Sequence, residues 1–340
     1  MSSSTVVDVS VIVPAYRAER FLERCLSGLW NQRFDGQFEV IVVASADRPD
    51  ELLHLPQDPR LTVLGFVPRL PAATARNHGV ARARARLLAF TDADVVVPPE
   101  WLSRLVAASG GRRCAAGSVI NGTPGSIVGT VEYLVQFLDL HPSRPVRTAW
   151  HGATCNLLVP RPLWERHGPF PEDMGGGEDT LMTVTLRQEG AFAFVPDAWV
   201  SHLNRTRLRE VLRHQFEFGR FTARLGRRSP YKLRPLVRYT ALAPVAAVGR
   251  VVSLYARVAA WDRQELGSAV AAAPVVTAAL ASWSAGLFVE GLLLDGRGVR
   301  EAMRRTLRQS AADVPQQPWI SAALEHSPGR RCRVPSGPDG

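Results

Sequence analysis

The stretch "LLAFTDADVVVPPEWL", residues 87–102, decides how the fold is read. The apolar run Leu87–Thr91 stops at Asp92-Ala93-Asp94, three valines follow, and Pro98 and Pro99 precede a segment that looks helical. A near-continuous apolar run of this length reads as a strand buried on both faces. Two carboxylates at its carboxyl end then call for an explanation.

The surrounding chain supplies a frame. "VDVSVIVPAY" (7–16), "FEVIVVAS" (38–45) and "LTVLGF" (61–66) read as further buried strands. Between the first two, Phe21, Leu22, Cys25, Leu26 and Leu29 recur at helical spacing, and "PAATARNHGVARARAR" (71–86) reads as an Ala/Arg helix. Strand and helix in alternation imply an α/β fold with a mostly parallel sheet covered on both sides. Ligands of such sheets sit at the carboxyl ends of the strands, where Asp92 and Asp94 fall. With one alanine between them, both carboxylates can approach one site, and such hard oxygen ligands suit Mn²⁺ or Mg²⁺ beside substrate phosphates. Taken alone, the same three residues also fit a solvated turn before a helix.

Composition bounds the alternatives. The 340 residues are 46% hydrophobic and 21% charged, which fits a folded chain with a large core. The net charge is +10, almost all of it from arginine, since Lys232 is the only lysine. Cys25, Cys114, Cys155 and Cys332 are far apart and form no CxxC pair, so buried free thiols are expected in place of a zinc knuckle or disulfide framework. The N-terminal "MSSSTVVDVSVIVPAY" lacks the basic and apolar regions of a signal peptide, and synthesis and folding in the cytoplasm are expected.

Four blocks in order carry a resemblance: "VSVIVPAYRAERFLERCLSGLWNQ" (9–32), "FEVIVVAS", "TARNHGVARARARLLAFTDADVVVPPEWL" (74–102) and "GGGEDTLMTVTLRQEGAFAFVPDAWVSH" (175–202). Over residues 8–205 the chain resembles the inverting family-two glycosyltransferases, nucleotide-sugar enzymes of the GT-A fold. The resemblance implies that Asp94 binds the metal directly, that Asp92 contacts the nucleotide ribose or the metal through water, and that Asp179 is the general base, with Glu178 orienting acceptor or sugar. It implies that His202 completes the metal or diphosphate site. Arg76, on the helix leading into the acidic strand, is placed to reach the nucleotide or its diphosphate with its planar donor fork. Pro14, Ala15 and Tyr16, at the end of the first strand, would line the nucleotide pocket. The family's Asp-rich turn after its second strand is missing here: Ser45 in "ASADRPD" (44–50) stands where an Asp would recognise the base, and Asp47 lies two residues on. A serine hydroxyl can still bond a base edge. Trp150 and Asn156 in "AWHGATCNLLVP" (149–160) are expected to face the acceptor, and His78, His151 and His167 to be structural.

The domain plan is a GT-A catalytic domain over 1–204, a basic amphipathic linker over 205–238, an apolar helical hairpin over 239–298, and a C-terminal helix and disordered tail over 299–340. Eleven Arg or Lys residues crowd 205–238 against Glu210 and Glu217, interleaved with Phe216, Phe218, Phe221 and Tyr231. The stretch "SAVAAAPVVTAALASWSAGLFVEGLLL" (268–294) that follows has a single charge, Glu290. A polybasic segment ahead of apolar helices fits an anionic membrane surface, at its cytoplasmic face, better than nucleic acid. The resemblance implies a nucleotide-sugar donor and a lipid-linked or envelope glycan as acceptor. No Gln-x-x-Arg-Trp signature of processive synthases follows the acidic pair, so addition of a single sugar is expected. Two other readings stay open. A nucleotidyltransferase would need a Gly-rich loop, and "VPAYRAERF" has no glycine. A non-catalytic membrane or nucleic-acid-binding relative would have no need of Asp92, Asp94, Glu178 and Asp179.

Overall fold

Parallel strands and their covering helices build the first part of the molecule. They are β1 (Val9–Tyr16), α1 (Leu22–Trp30), β2 (Phe38–Ser45), β3 (Leu61–Phe66), α2 (Ala72–Arg82) and β4 (Leu87–Thr91). The computed structural model describes residues 6–51, 58–228 and 242–312, without the side chains of 264 and 294–312. β1 pairs in parallel with β2 and β4, and β2 with β3. Successive residues of these strands feed opposite cores. Val9, Val11 and Val13 join α1 and the helix at 101–109 on one face, while Ile12, Leu88 and Phe90 join α2 and Trp164 on the other. In β1, β2 and β4 burial on both faces is why the strands read as near-continuous apolar runs, while β3 at the sheet edge stays partly exposed.

Beyond Asp94 the sheet becomes mixed. The elements are β5 (Val95–Val96), α3 (Trp101–Ser109), β6 (Cys114–Asn121), α4 (Ile127–Phe137), β7 (Asn156–Pro160), α5 (Arg161–His167), α6 (Glu178–Gln188) and β8 (Phe192–His202). The full order is β3-β2-β1-β4-β7-β6-β8-β5, with β7 antiparallel to β4 and β6, and β5 antiparallel to β8. Asn156 is the clasp of this half. Fully buried, it accepts from Trp101 Nε1 (2.8 Å) and donates to the carbonyls of Ser118 (2.8 Å) and Ala198 (2.7 Å). Its amide is used up inside the protein, so the expectation that it faces an acceptor is corrected. Cys25, Cys114 and Cys155 are free and buried, and burial pushes each thiol up.

Four helices follow: α7 (Leu208–Arg228), α8 (Ala243–Trp261), α9 (Arg263–Ala271) and α10 (Ala273–Ala312). Met1–Leu292 forms one compact unit and Leu293–Gly340 a second. Within the first, α7 and α10 cross at a pair of glycines. A Cβ on Gly219 would sit 1.9 Å from the Trp283 carbonyl, and one on Gly286 1.9 Å from the Phe216 carbonyl. Trp283 Nε1 donates to Thr222 Oγ1 (3.1 Å), Ser282 Oγ to the Leu212 carbonyl (2.7 Å), and Glu290 receives Arg220 (2.8 Å) and Arg224 (2.9 Å). Tyr231, Lys232 and the rest of 229–238, and the tail 327–340 with Cys332, lie outside the described residues.

Replacing Gly286 with Val should force α7 and α10 apart, because backbone cannot yield as a flexible side chain does. Overpacking of this kind costs about 3 kcal/mol or more, readable as a lowered urea midpoint, whereas Ala285→Val on the exposed side should leave the midpoint unchanged.

Candidate functional site

A cleft of about 940 Å³ opens at the carboxyl ends of β1, β2 and β4. Pro14, Ala15, Tyr16 and Ser45 line one end of it, and Asp92, Asp94 and His202 the other. The β1–β2 register sets Tyr16 beside Ser45. Asp47 is spent at the rim, where it accepts from Tyr16 Oη (2.7 Å) and Arg17 Nη2 (2.9 Å), while Arg69 lies 4.2 Å from the Tyr16 ring centroid. The bond to Asp47 raises the Tyr16 phenol above its ordinary value.

Arg76 joins the two acidic motifs. It is carried on α2, and its guanidinium donates to Asp92 Oδ1 through Nη2 (2.6 Å) and to Glu178 Oε1 through Nη1 (3.0 Å). Arg76 and Glu178 have side chains only 6% exposed, Asp92 26%. Burial pulls the Arg76 pKa down, but Asp92, Glu178 and Asp179 outweigh it and raise the pKa overall. Burial and the neighbouring Asp179 push the Glu178 carboxyl up against the pull of Arg76. Arg76 lines the cleft, but its Nη atoms are committed to carboxylates. The guanidinium thus forms an internal bridge between the two acidic motifs while lining the cleft. Asn77 turns away, pairing with both the N–H and the carbonyl of Phe170.

Glu178 and Asp179 open α6, following three glycines with φ of +72°, +150° and +79°. Such backbone is denied to side-chain-bearing residues, and Phe221 of α7 packs where a Cβ of Gly176 would stand. Asp179 is held at both oxygens: Oδ2 accepts from the Thr154 N–H (3.0 Å) and hydroxyl (3.2 Å), Oδ1 from the Thr180 N–H (2.6 Å). Trp150 is partly buried and stacks on His151 at 4.0 Å, near the Thr154 loop, so of the two acceptor candidates it alone keeps exposed surface.

At the cleft's other end His202 closes β8, paired in register with Val95. Its Nε2 faces Asp94 Oδ1 at 3.6 Å, beyond hydrogen-bond distance. A carboxylate and an imidazole facing one another across an open cleft, with no proton shared, form a donor set that a divalent cation satisfies. Among the described residues no three His, Cys, Asp or Glu side chains converge as a closed metal cage. The pair fits an ion that takes its remaining ligands from water and substrate.

Residues 10–128 match the family model described as glycosyl transferase family 2. This part of the chain is similar to glycosyl transferase family 2. Glycosyltransferase AglE of Haloferax volcanii is 27% identical over 236 residues, which is 64% of this chain and 74% of AglE. Pre-mycofactocin glycosyltransferase of Mycobacterium tuberculosis is 29% identical over 246 residues, 68% of this chain but only 50% of that protein. Among solved structures, the mannosyltransferase PcManGT from Pyrobaculum calidifontis, in complex with GDP-Man and Mn²⁺, superimposes with a TM-score of 0.54. It covers 84% of this chain and 88% of its own at 20% identity, a likeness of fold. The fold is GT-A, a mixed sheet with an acidic turn at the end of its fourth strand.

Beside these acidic residues the structure adds polar groups that the sequence did not single out. Glu132 of α4, fully buried, accepts from the Arg205 N–H (3.0 Å) and Nη1 (2.6 Å) and pairs with His214 Nδ1 (2.8 Å). Arg205 and His214 also line the cleft. No local spacing marks Glu132, which lies 73 and 82 residues from its partners. Much of the basic segment is likewise paired internally: Arg220 and Arg224 with Glu290, Arg228 with Asp173, Arg205 with Glu132.

Glu132 also yields a pH prediction. Burial pushes its carboxyl up, but His214 and Arg205 outweigh burial and hold it below the usual range. A depressed carboxylate contributes stability that is complete above its unfolded pKa, about 4.3, and is lost as pH falls through the lower folded value. Glu132→Gln weakens charge-assisted hydrogen bonds and should therefore cost about 2 kcal/mol at pH 7, with the gap to wild type closing below about pH 4, as measured by urea unfolding at several pH values. A gap that persists undiminished at pH 3 would contradict this.

Proposed function

We propose that the chain transfers a sugar from a nucleoside-diphosphate donor to an acceptor hydroxyl, with inversion at the anomeric carbon. The supporting observation is the Arg76 bridge, which draws the acidic turn after β4 and the acidic start of α6 into one site. In this reading Pro14, Ala15, Tyr16 and Ser45 hold the nucleotide, Asp92 its ribose, and Asp94 with His202 a Mn²⁺ or Mg²⁺ ion. When bound, that cation neutralises charge on the departing diphosphate. Asp179 takes the acceptor proton as the acceptor oxygen forms its bond to the anomeric carbon, from the face opposite the diphosphate. The bond from anomeric carbon to phosphate oxygen breaks, and its electron pair leaves with the nucleoside diphosphate. The donors from Thr154 and Thr180 keep the Asp179 carboxylate aimed, which is what proximity catalysis needs. Glu178, pinned by Arg76, sets the wall beside it.

Calorimetric titration with UDP-, GDP- and dTDP-sugars, with and without Mn²⁺, tests this. One donor class should bind wild type only with metal and not bind Asp94→Ala. Asp179→Asn should bind that donor as wild type does, yet turn over about 10²–10⁴-fold more slowly. A folded wild type that binds no nucleotide sugar under any condition would overturn the reading.

We also infer that the C-terminal helices touch a lipid bilayer, which would supply a lipid-linked or envelope glycan acceptor. Residues 243–261 and 273–293 are long and apolar enough to cross a membrane. Their charges are turned inward: Arg250 reaches the Val135 carbonyl (2.9 Å) and lies over Trp283, Arg257 pairs with Asp139, and Glu290 meets Arg220 and Arg224. Val245, Val248 and Val252 face outward at 65%, 64% and 64% exposure, as do Phe288 and Leu292. An apolar patch of this kind marks a membrane or partner contact. Wild type should sediment with phosphatidylcholine–phosphatidylglycerol vesicles, and a variant with Val245, Val248 and Val252 all changed to Asp should stay in solution. Wild type remaining in the supernatant with every vesicle composition would sink the inference.

A further inference from the structure

The hydrogen bonds behind His202 have only one consistent direction. They begin at a group with no alternative, the backbone N–H of Thr123, which donates to Asn121 Oδ1 (3.0 Å). That oxygen also faces Asn204 Nδ2 at 3.0 Å. The same Nδ2 lies 3.1 Å from the His202 carbonyl and 3.0 Å from Thr123 Oγ1, whose own proton goes to Asn121 Oδ1 (3.2 Å). All three neighbours accept, so the Asn204 amide nitrogen must be the donor on this side. Turned over, its oxygen would meet lone pairs at Asn121 and at the His202 carbonyl.

Asn204 Oδ1 is thereby left to face His202 Nδ1, at 3.1 Å. An amide oxygen only accepts, so the imidazole carries a proton on Nδ1, and the neutral ring then turns its Nε2 lone pair toward Asp94, 3.6 Å away. Phe137 packs against the ring at 4.5 Å between centroids, and His202 is only 6% exposed, so the ring has little freedom to turn. Asn204 itself is 5% exposed.

We propose that Asn204, held by Asn121 and Thr123, is a positioning residue that fixes the tautomer and ring orientation of His202 for a cation shared with Asp94. A neutral imidazole ligates through the nitrogen that lacks the proton, and the partner of the other nitrogen decides which one that is. The proposal rests on the cation reading of the preceding section but can fail apart from it.

The test uses full-length protein labelled with ¹⁵N-histidine and free of metal, with the His202 signals assigned by comparison with His202→Gln. Wild type should show the Nδ1–H pattern of ¹⁵N shifts. Asn204→Ala should show a mixture of tautomers and bind Mn²⁺ alone about 10–100-fold more weakly in an electron paramagnetic resonance titration. Asn121→Asp keeps the accepting oxygen and should retain both the Nδ1–H tautomer and near wild-type Mn²⁺ affinity. Nε2–H in a wild type that binds Mn²⁺ would overturn the role of Asn204 alone, as would a folded Asn204→Ala with undiminished affinity. Wild type in the Nδ1–H form that binds no Mn²⁺ would overturn the cation reading and this role together.

Discussion

The guanidinium of Arg76 is the contact around which the candidate site is organised. It lies buried between carboxylates that stand 86 positions apart in the sequence, Asp92 after β4 and Glu178 at the start of α6. Such a bridge adds little net stability, since desolvating three charged groups offsets most of the attraction between them. Its physical consequence is geometric. A planar fork with two occupied ends fixes the distance and angle between its partners, so the half of the sheet that carries the acidic turn cannot drift from the helix that carries Asp179. Removing it would leave two buried carboxylates uncompensated. Arg76 Nε and Glu178 Oε2 are buried without a protein partner, which is a further cost the site bears for this arrangement.

A second constraint runs from the C-terminal helices into the same loop. Arg224 of α7 pairs with Glu290 of α10 and donates to the Met174 carbonyl (2.9 Å), just ahead of the three glycines. Phe221, one turn earlier, covers Gly176. The loop that delivers Asp179 is therefore packed against α7, which the Arg224–Glu290 pair ties to α10. Left-handed glycines make this loop adjustable, and the arginine and phenylalanine above it limit the adjustment. A charge that looked out of place in an apolar stretch, Glu290, is the anchor of that contact. The charges of α8 and of residues 273–293, Arg250, Arg257 and Glu290, are used inside.

Much of the first half was legible in the chain. The second, third and fourth strands begin and end where the apolar runs do; β2 and β4 are buried along nearly their whole length, whereas β3 is a partly exposed edge strand. The acidic turn fell at the carboxyl end of a strand by topology alone, and His202 fell opposite it at the end of β8. The roles of Arg76 and Asn156 were harder to read. Both carry polar groups suited to a substrate, and nothing local distinguishes an arginine aimed at a phosphate from one aimed at two distant carboxylates. Glu132 and Asn204 were invisible for the same reason: an isolated glutamate inside a helix and an asparagine two residues after a strand have no periodic signature.

Sequence by itself determined the strand–helix alternation, the positions of the acidic motifs and the apolar character of the C-terminal helices. These properties depend on spacing and side-chain chemistry within a few residues. Only the tertiary structure decided which polar groups meet: Arg76 with Glu178, Asn204 with Asn121, Glu290 with Arg224. The direction of a hydrogen bond or the partner of a buried charge depends on chain segments tens of residues apart being brought within about 3 Å, and only the folded core sets that distance.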